Sequence, residues 1–363
     1  MGNILKKIKI LVDGHVLDGK HQGTSSYISG LYSELSKREE CDIYIATQNK
    51  ASVDKYFGQP NHVTWVPLKS KNKYQRLAFE FDVLVKKIKP DYSHFQYITP
   101  LIKRNKWINT IHDVLFLDFP ENFPLSYRIQ NYCLFKLGAL RSDIVLTVSE
   151  YSKQQISQHF NIPLQDIVVT PNAIDDISTV QAKLIKPLEN EKFYLYVSRF
   201  EPRKNQHLLI ESFLKANVGN DAKLVLVGAP ALSYPELEKY LTNEFKEKII
   251  HLQGIEKSEL VWLYQHATAA IYPSKGEGFG IPPLEAIALG CPSYSADNTA
   301  LSELTPYLSG TFDNNKNSIV SLFNNIEQQQ NKPNLTAKTE QVITTFNWAN
   351  SANILLEKLI SDR

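Results

Sequence analysis

Short apolar runs alternate with amphipathic segments along the chain, in the order typical of parallel strands and the helices that connect them. The first run, Ile8–Asp13, precedes a polar loop over residues 14–26 and a helix predicted over 25–37. Further strands are predicted at 42–47, 62–67, 92–95, 107–111, 143–148 and 167–170, and helices at 73–89, at 123–141 and from Ser149 onward.

The periodicity is lost over residues 176–192, which predicts a linker. Two alternating arrays joined in this way predict an α/β protein of two doubly wound, Rossmann-like domains that face a cleft. We expect the domains at 1–177 and 190–345, followed by a C-terminal helix at 346–363. The second array has predicted strands at 193–198, 224–227, 249–252 and 269–272, helices at 206–216 and 258–266, and a tail helix at 344–359.

The length of 363 residues accommodates two domains of ordinary size. A net charge of +2 gives no general case for nucleic-acid binding. The three cysteines are scattered and lack metal-ligand spacing, which fits a reducing compartment, so we expect a cytoplasmic protein. No apolar run approaches the length of a membrane span.

Basic residues cluster in the first half of the chain, at 69–73, 86–89 and 103–106. Such clusters can meet an anionic membrane surface, although a solvated face is the more usual explanation. The segment 123–141 is both aromatic and basic. It can lie on a membrane surface, but a core-facing helix is the favoured interpretation.

The stretch 274–292 reads SKGEGFGIPPLEAIALGCP. A Gly-rich turn carries Glu277, a Pro282-Pro283 pair marks a helix start, and Glu285 is predicted in the first turn of that helix. Free N–H groups at such a turn favour negative charge, and carboxylates accept hydrogen bonds from hydroxyl groups. The stretch therefore suggests a site for a polar, partly anionic, hydroxyl-rich ligand, although an ordinary strand–loop–helix turn has the same pattern.

Two further groups lie at predicted strand ends, where open α/β sheets bind their ligands. Arg199, Arg203 and Lys204 precede a helix and form a candidate anion cradle. His112 and Asp113 follow the strand 107–111, although a histidine in this place can simply satisfy loop backbone.

Several blocks together resemble the retaining, nucleotide-sugar-dependent glycosyltransferases of family 4, which have the GT-B fold. The blocks follow the family's order over nearly the whole chain. That fold implies that the C-terminal helix packs back on the first domain. The blocks are 111–113, 147–153 and 170–175 in the first half, 196–205, 224–228, 253–254 and 277–285 in the second, and 346–348 in the tail.

The resemblance implies a hexosyltransferase and assigns roles to individual residues. Arg199 and Lys204 resemble the pair that holds the donor diphosphate, and Glu285 resembles the carboxylate that binds the ribose hydroxyls. Glu277 resembles the residue that binds the transferred sugar. The other implied contacts are the amides of Phe279, Gly280 and Ile281 for the sugar, Gly254 and Ile255 for the base, His112 at the reaction centre, and Gly23 near the diphosphate and acceptor.

Of these residues, His112, Glu277, Arg199 and Lys204 are expected to be catalytic. The implied mechanism is front-face transfer with retention, in which the departing phosphate helps to deprotonate the acceptor hydroxyl. With two cations on the phosphates, no metal ion or other cofactor is expected. The chain departs from the family at Ser198, where a glycine is usual, and in its first loop, where 23–27 reads GTSSY and lacks the family's cation.

Similarity of residues 277–283 to mannosyl-transferring members favours GDP-mannose as the donor, while a UDP-hexose or dTDP-rhamnose remains open. The implied acceptor is a glycan or lipid-linked acceptor of bacterial surface polysaccharide synthesis, such as O-antigen, with peripheral contact at the inner face of the plasma membrane. Three other functions remain possible. They are a nucleotide-sugar epimerase, a glycoside hydrolase with Glu277 and Glu285 as acid and base, and a non-catalytic binding protein.

Overall fold

A computed structural model describes residues 7–19, 22–58, 62–174, 179–329, 331 and 333–362. The chain forms two compact units, Met1–Ala173 with Asn347–Arg363, and Ile174–Phe346. The predicted linker at 176–192 begins among residues outside the described ranges, and from residue 179 onward it belongs to the second unit. No described helix is long and apolar enough to cross a membrane.

The first unit contains a seven-stranded parallel sheet with the strand order β3-β2-β1-β4-β5-β6-β7. Its central strands are almost entirely buried, and they include the buried polar residues Ser93, His94 and Asn109. The strands are β1 Ile8–Asp13, β2 Cys41–Thr47, β3 Val63–Pro67, β4 Tyr92–Gln96, β5 Lys106–Thr110, β6 Ile144–Thr147 and β7 Ile167–Val169.

Helices cover this sheet, and polar residues cap the N-termini of two of them. Ser149 caps one of them by accepting a hydrogen bond from the Ser152 amide, and Gln22 and Ser25 form a reciprocal capping box at another. The helices are α1 Gly23–Leu35, α2 Lys50–Phe57, α3 Lys73–Gln75, α4 Phe81–Ile88, α5 Leu115–Asp118, α6 Leu125–Arg141 and α7 Glu150–Phe160.

The second unit contains a six-stranded parallel sheet with the strand order β10-β9-β8-β11-β12-β13. Its strands are β8 Phe193–Val197, β9 Lys223–Val227, β10 Ile249–Leu252, β11 Ala270–Tyr272, β12 Ser293–Ala296 and β13 Gly310–Phe312. Its helices are α8 Gln206–Lys215, α9 Pro235–Glu238, α10 Lys257–His266, α11 Ile281–Ala288, α12 Thr299–Glu303, α13 Lys316–Gln328 and α14 Thr336–Thr345.

The last helix, α15 (Trp348–Ser361), returns to the first unit and packs against α1. Trp348 makes an edge contact with Tyr27, with ring centroids 5.8 Å apart. It also covers Gly30 so closely that a Cβ there would lie 2.2 Å from the indole ring. The expectation that the C-terminal helix packs back on the first domain is therefore confirmed.

Three element predictions differ from the structure. The helix predicted at 73–89 contains a π-helical turn, Arg76–Glu80, between α3 and α4. The tail helix predicted at 344–359 joins the end of α14 to α15, which are separated at 346–347. The helix α6 buries Phe135 and Ala139 as predicted, but it also exposes a row of apolar side chains that a purely core-facing helix would hide.

Candidate functional site

The strand order of the second sheet reverses between β8 and β11, and open α/β sheets bind ligands at the carboxyl ends of such strands. The loop after β8 contains Arg199 and a short 3-10 helix, Pro202–Lys204. The loop after β11 contains Glu277. The predicted anion cradle and the predicted Gly-rich turn therefore meet at the point where the topology places a ligand site.

The side chains of Lys204 and Glu277 form an ion pair across this point. Lys204 Nζ donates to Glu277 Oε1 at 2.5 Å, and the two side chains are only 12% and 16% exposed. Ser274 Oγ donates to the same carboxylate oxygen at 2.7 Å. An ammonium has three donors and a carboxylate has two oxygens, so both groups have bonding capacity beyond this pair.

Arg203 is the third charged residue at this point, and it contacts Glu277 as well. Its guanidinium donates to Glu277 Oε2 at 3.3 Å, and also to Glu201 and to the Gly276 carbonyl. Arg203 is buried, and its donors are committed to these protein groups. The sequence presented three similar cations, but the structure makes Arg203 a positioning residue for the Glu277 loop. The sequence feature that could have predicted this role is Glu201, two positions earlier, which pairs with Arg203.

Backbone and amide contacts hold the Glu277 loop in place. The side-chain amides of Asn298 and Asn314 both donate to the Ser274 carbonyl, at 2.9 and 3.0 Å. The Glu277 amide donates to Thr299 Oγ1 at 3.0 Å, and Thr299 has a φ of 47°, which a β-branched residue rarely adopts. These three contacts were not predicted, because they come from loops after β12 and β13 that are distant in sequence.

The charges of the pair follow from its surroundings. The pKa of Glu277 is lowered to about 2, because Lys204 and Arg203 together outweigh the burial that would raise it. Burial also lowers the pKa of the Lys204 ammonium, and Glu277 partly offsets that effect. Glu277 is therefore a carboxylate at every pH near neutrality, and it has no proton to donate.

Arg199 differs from the other two cations. Its side chain is exposed, and among the residues that the structure describes it has no ion-pair partner. Its carbonyl oxygen accepts a hydrogen bond from the Gln206 side chain at 2.9 Å, which fixes the loop on the first turn of α8. The backbone of Arg199 is therefore held in place while its charged side chain is exposed.

The helix α11 begins at Ile281, directly after the Gly-rich turn, with the proline pair at its start as predicted. Gly280 has a φ of 125°, and a Cβ there would lie 2.7 Å from Leu304, so this position requires glycine. Phe279, just before it, is buried. Glu285 is the fifth residue of the helix, so its predicted place in the first turn is wrong.

Glu285 contacts α10. Its Oε2 accepts a hydrogen bond from the Tyr264 hydroxyl at 3.3 Å, and the carboxylate is half-buried. The predicted base-contacting turn, Gly254 and Ile255, follows β10 at the same edge of the sheet. Gly254 has a φ of 63° and no atom within 4 Å of a built Cβ, so this turn is open.

His112 follows β5 in the first unit and is buried. Its Nε2 lies 3.0 Å from the Gln96 side-chain oxygen, and Tyr27 meets its ring edge-on at 4.9 Å. A carboxamide oxygen only accepts, so with Gln96 in this orientation His112 Nε2 is the donor. Burial lowers the pKa of His112 to about 4, so the ring is neutral near pH 7.

Gly23 is the first residue of α1, and a Cβ built on it meets no atom within 4 Å. We therefore expect Gly23→Ala to fold with a free energy of unfolding within about 0.5 kcal/mol of the wild type. Transfer should fall by about tenfold or more if a ligand lies against this residue, because small displacements of bound groups are costly. Urea unfolding and initial transfer rates measure the two effects.

Gly19→Ala is the matched control, since Gly19 lies in the same loop and its built Cβ also meets no atom within 4 Å. Wild-type transfer by Gly23→Ala would remove this residue from the site.

The family description "Glycosyltransferase Family 4" matches residues 21–177, and "Glycosyl transferases group 1" matches 180–337. O-antigen chain mannosyltransferase RfbU of Salmonella typhimurium is 31% identical over 207 residues, which are 56% of this chain and 55% of that one. O-antigen chain mannosyltransferase B of Escherichia coli is 26% identical over 277 residues, or 72% of each chain.

Among solved structures, Anabaena HepE in complex with UDP-glucose has a TM-score of 0.73 at 17% identity, over 98% of this chain and all of that one. At that identity the likeness shows the fold alone. This chain spans about half the length of the RfbU protein that it matches.

The two parallel sheets and the structural match show a GT-B fold, built from two Rossmann-like domains. The chain belongs to glycosyltransferase family 4.

Proposed function

We propose that this protein transfers a hexose, with mannose favoured, from a nucleoside-diphosphate sugar to a hydroxyl group of a glycan acceptor. The observation that carries the proposal is the Lys204–Glu277 pair at the switch point of the second sheet, with the exposed Arg199 in the same loop as Lys204. A cation and a carboxylate held together suit a ligand that joins phosphates to sugar hydroxyls.

Each residue has a role in this proposal. Arg199 and Lys204 bind the diphosphate, whose negative charge grows as the glycosidic bond breaks, so fixed cations favour the transition state. Glu277 accepts hydrogen bonds from the transferred sugar, together with the amides at the start of α11. Glu285 accepts from the ribose hydroxyls. The turn at 254–255 contacts the base. His112 is proposed to act at the reaction centre, and Gly23 near the diphosphate and acceptor.

We propose a retaining, front-face reaction. The bond between the sugar's anomeric carbon and the phosphate oxygen breaks, and the acceptor oxygen attacks the same face. The acceptor's proton passes to the departing phosphate oxygen, so the products are the glycoside and a nucleoside diphosphate. Two cations supply the charge that a divalent metal would otherwise provide, which supports metal-independent transfer.

The charge state of Glu277 argues against a glycoside hydrolase. Such an enzyme needs one carboxyl group with a raised pKa to protonate the leaving group. Glu277 instead has its pKa lowered to about 2 and contacts two cations. The cations also have no task in a hydrolase, whereas they match a diphosphate. An epimerase would use the same donor site but would need no acceptor.

The donor is proposed to be GDP-mannose, supported by the names of the mannosyltransferases to which the chain is similar. A UDP-hexose or dTDP-rhamnose is the alternative donor. The acceptor is proposed to be a lipid-linked surface glycan, because these relatives are named for O-antigen chains. The enzyme would then act in the cytoplasm, at the inner face of the plasma membrane.

A thermal-shift panel of GDP, UDP, dTDP and ADP tests the donor. A ligand at a hundred times its Kd stabilises the native state enough to raise Tm by about 5 °C or more. We expect GDP to give the largest shift, with the shift and the transfer rate unchanged by EDTA.

A largest shift with UDP or dTDP would replace the proposed base and leave the transferase proposal standing. No shift with any diphosphate would contradict the donor site itself. Loss of transfer in EDTA would contradict the metal-independent mechanism.

A further inference from the structure

The helix α6 exposes one continuous row of apolar side chains. Leu125, Ile129 and Leu137 are 63%, 58% and 44% exposed, and Leu140 and the thiol of Cys133 are exposed in the same row. Their spacing of three or four residues places them on one side of the helix. A second side of the helix buries Phe135 and Ala139, so the exposed row is additional to the core contact.

Two neighbouring segments extend this row into a larger surface. Arg141 at the end of α6 donates to the Leu101 carbonyl at 2.7 Å, so the exposed Leu101 and Ile102 continue the apolar row. The side chains of Ile102 and Arg104 line a narrow crevice with Ala78 of the π-helical turn. Phe79, which is 72% exposed, and the exposed Val83 lie on the π turn and α4.

The middle of α6 is tied to the start of the neighbouring helix. Gln130 donates to the Tyr74 hydroxyl at 2.9 Å, and Tyr74 is half-exposed. We call the combined surface the basic apolar face. It comprises exposed residues of 73–89, 101–106 and 125–141.

The segments that form this face, with residues 69–72 before them, are mainly positive. Residues 69–89, 101–106 and 125–141 contain thirteen Lys and Arg and only two acidic residues, Glu80 and Asp82. Both acids bond to groups of the protein itself. Asp82 pairs with Lys86 at 2.8 Å and with Arg104, and Glu80 accepts from the backbone amides of Lys69 and Ser70. Nine of the cations are exposed. Lys103 and Lys106 pair with Asp143 and Asp362 outside these segments, whereas Lys73 and Lys87 form no ion pair with the described residues.

We propose that the basic apolar face docks the protein on an anionic lipid bilayer. Exposed Leu, Ile and Phe side chains gain free energy by entering the acyl boundary, and the surrounding cations are attracted by anionic headgroups. A soluble anionic partner would match the cations and leave the apolar row in water. Docking through this face would bring the enzyme to a lipid-linked acceptor. Only this connection to the acceptor rests on the proposed function.

Co-sedimentation with vesicles tests the proposal without any sugar donor or acceptor. We expect the full chain to bind phosphatidylglycerol–phosphatidylcholine vesicles and to bind pure phosphatidylcholine vesicles about tenfold more weakly. The double variants Leu137→Gln/Leu140→Gln and Lys73→Gln/Lys87→Gln should each lose about tenfold or more in binding to the anionic vesicles.

Matched controls use exposed residues of the same types elsewhere, Leu214→Gln/Leu232→Gln and Lys50→Gln/Lys246→Gln. These should bind as the wild type does. Equal loss in the controls, equal binding to both vesicle types, or no binding of the wild type would overturn the proposal. The proposal would also be overturned if the wild type were a dimer that did not bind vesicles and that the Leu137→Gln/Leu140→Gln substitutions dissociated.

Cys133 offers an independent readout, because the other two cysteines, Cys41 and Cys291, are buried. An environment-sensitive fluorophore on Cys133 should shift its emission to the blue with anionic vesicles, and an unchanged spectrum contradicts insertion of this face. Transfer to a soluble glycan acceptor should be unchanged in the face variants. Failure of that transfer in the wild type as well would contradict the proposed function while leaving vesicle binding to decide this inference.

Discussion

Lys204→Met should lower kcat/KM for the nucleotide sugar by roughly 10³-fold, the order of loss seen when a fixed group that stabilises transition-state charge is removed. Lys204 is 12% exposed, and its ammonium lies 2.5 Å from Glu277. Arg203 cannot replace it, because its guanidinium already contacts Glu201, Gly276 and Glu277. Methionine keeps an unbranched side chain only one atom shorter and removes the charge.

The Lys204→Met variant should keep most of its stability, since Arg203 and Ser274 still contact the Glu277 carboxylate. Initial transfer rates and urea unfolding separate the two effects. Lys275→Met is the control, because Lys275 is an exposed lysine of the adjacent loop, and it should behave as the wild type. A wild-type transfer rate in Lys204→Met would exclude this lysine from the diphosphate site.

Glu277→Gln should have a large effect on both transfer and stability. We expect transfer to fall by about 100-fold or more, because the sugar loses a charged acceptor and Lys204 loses its orientation. The variant also leaves Lys204 and Arg203 without their shared carboxylate, at a cost of about 3 kcal/mol in the free energy of unfolding. Glutamine is used because alanine would add a cavity to the lost charge.

The stability difference should depend on pH in a defined direction. The pKa of Glu277 is about 2 in the folded protein against a usual 4.5, so folding favours the carboxylate. Its contribution is full above pH 4.5 and is lost as the pH falls toward 2. The gap between wild type and Glu277→Gln should therefore be constant near neutrality and narrow below pH 4.5.

Glu244→Gln, at an exposed position of the same unit, should show no such gap. A gap that widens as the pH falls would contradict the assigned ionisation of Glu277.

The periodicity of the sequence was sufficient for most of the fold. The strands Ile8–Asp13 and Ile249–Leu252 were predicted to the residue, because each is a short, mainly apolar segment between polar or turn residues. The strand Ser293–Ala296 reads SYSA and was missed, since its burial comes from the sheet around it and not from its own hydrophobicity. Helix α2 was missed as well, because it buries only Val53.

The site was predictable in composition but not in pairing. Glu277 and Lys204 were both identified from their motifs, yet their direct contact depends on β8 and β11 being neighbours in the sheet. The different states of Arg199 and Arg203 depend on the loop between them, which exposes one and buries the other. The exposed row on α6 was not predicted, because apolar residues occur on both the exposed and the buried sides of this helix and the sequence alone does not distinguish them.

The most direct test of the account measures release of nucleoside diphosphate from GDP-mannose with and without a glycan acceptor. We predict release only when the acceptor is present, with a product whose anomeric configuration by NMR is that of the donor. Lys204→Met should release about 10³-fold less. Release without acceptor would indicate a hydrolase, a changed sugar without release would indicate an epimerase, and an inverted product would contradict the retaining mechanism.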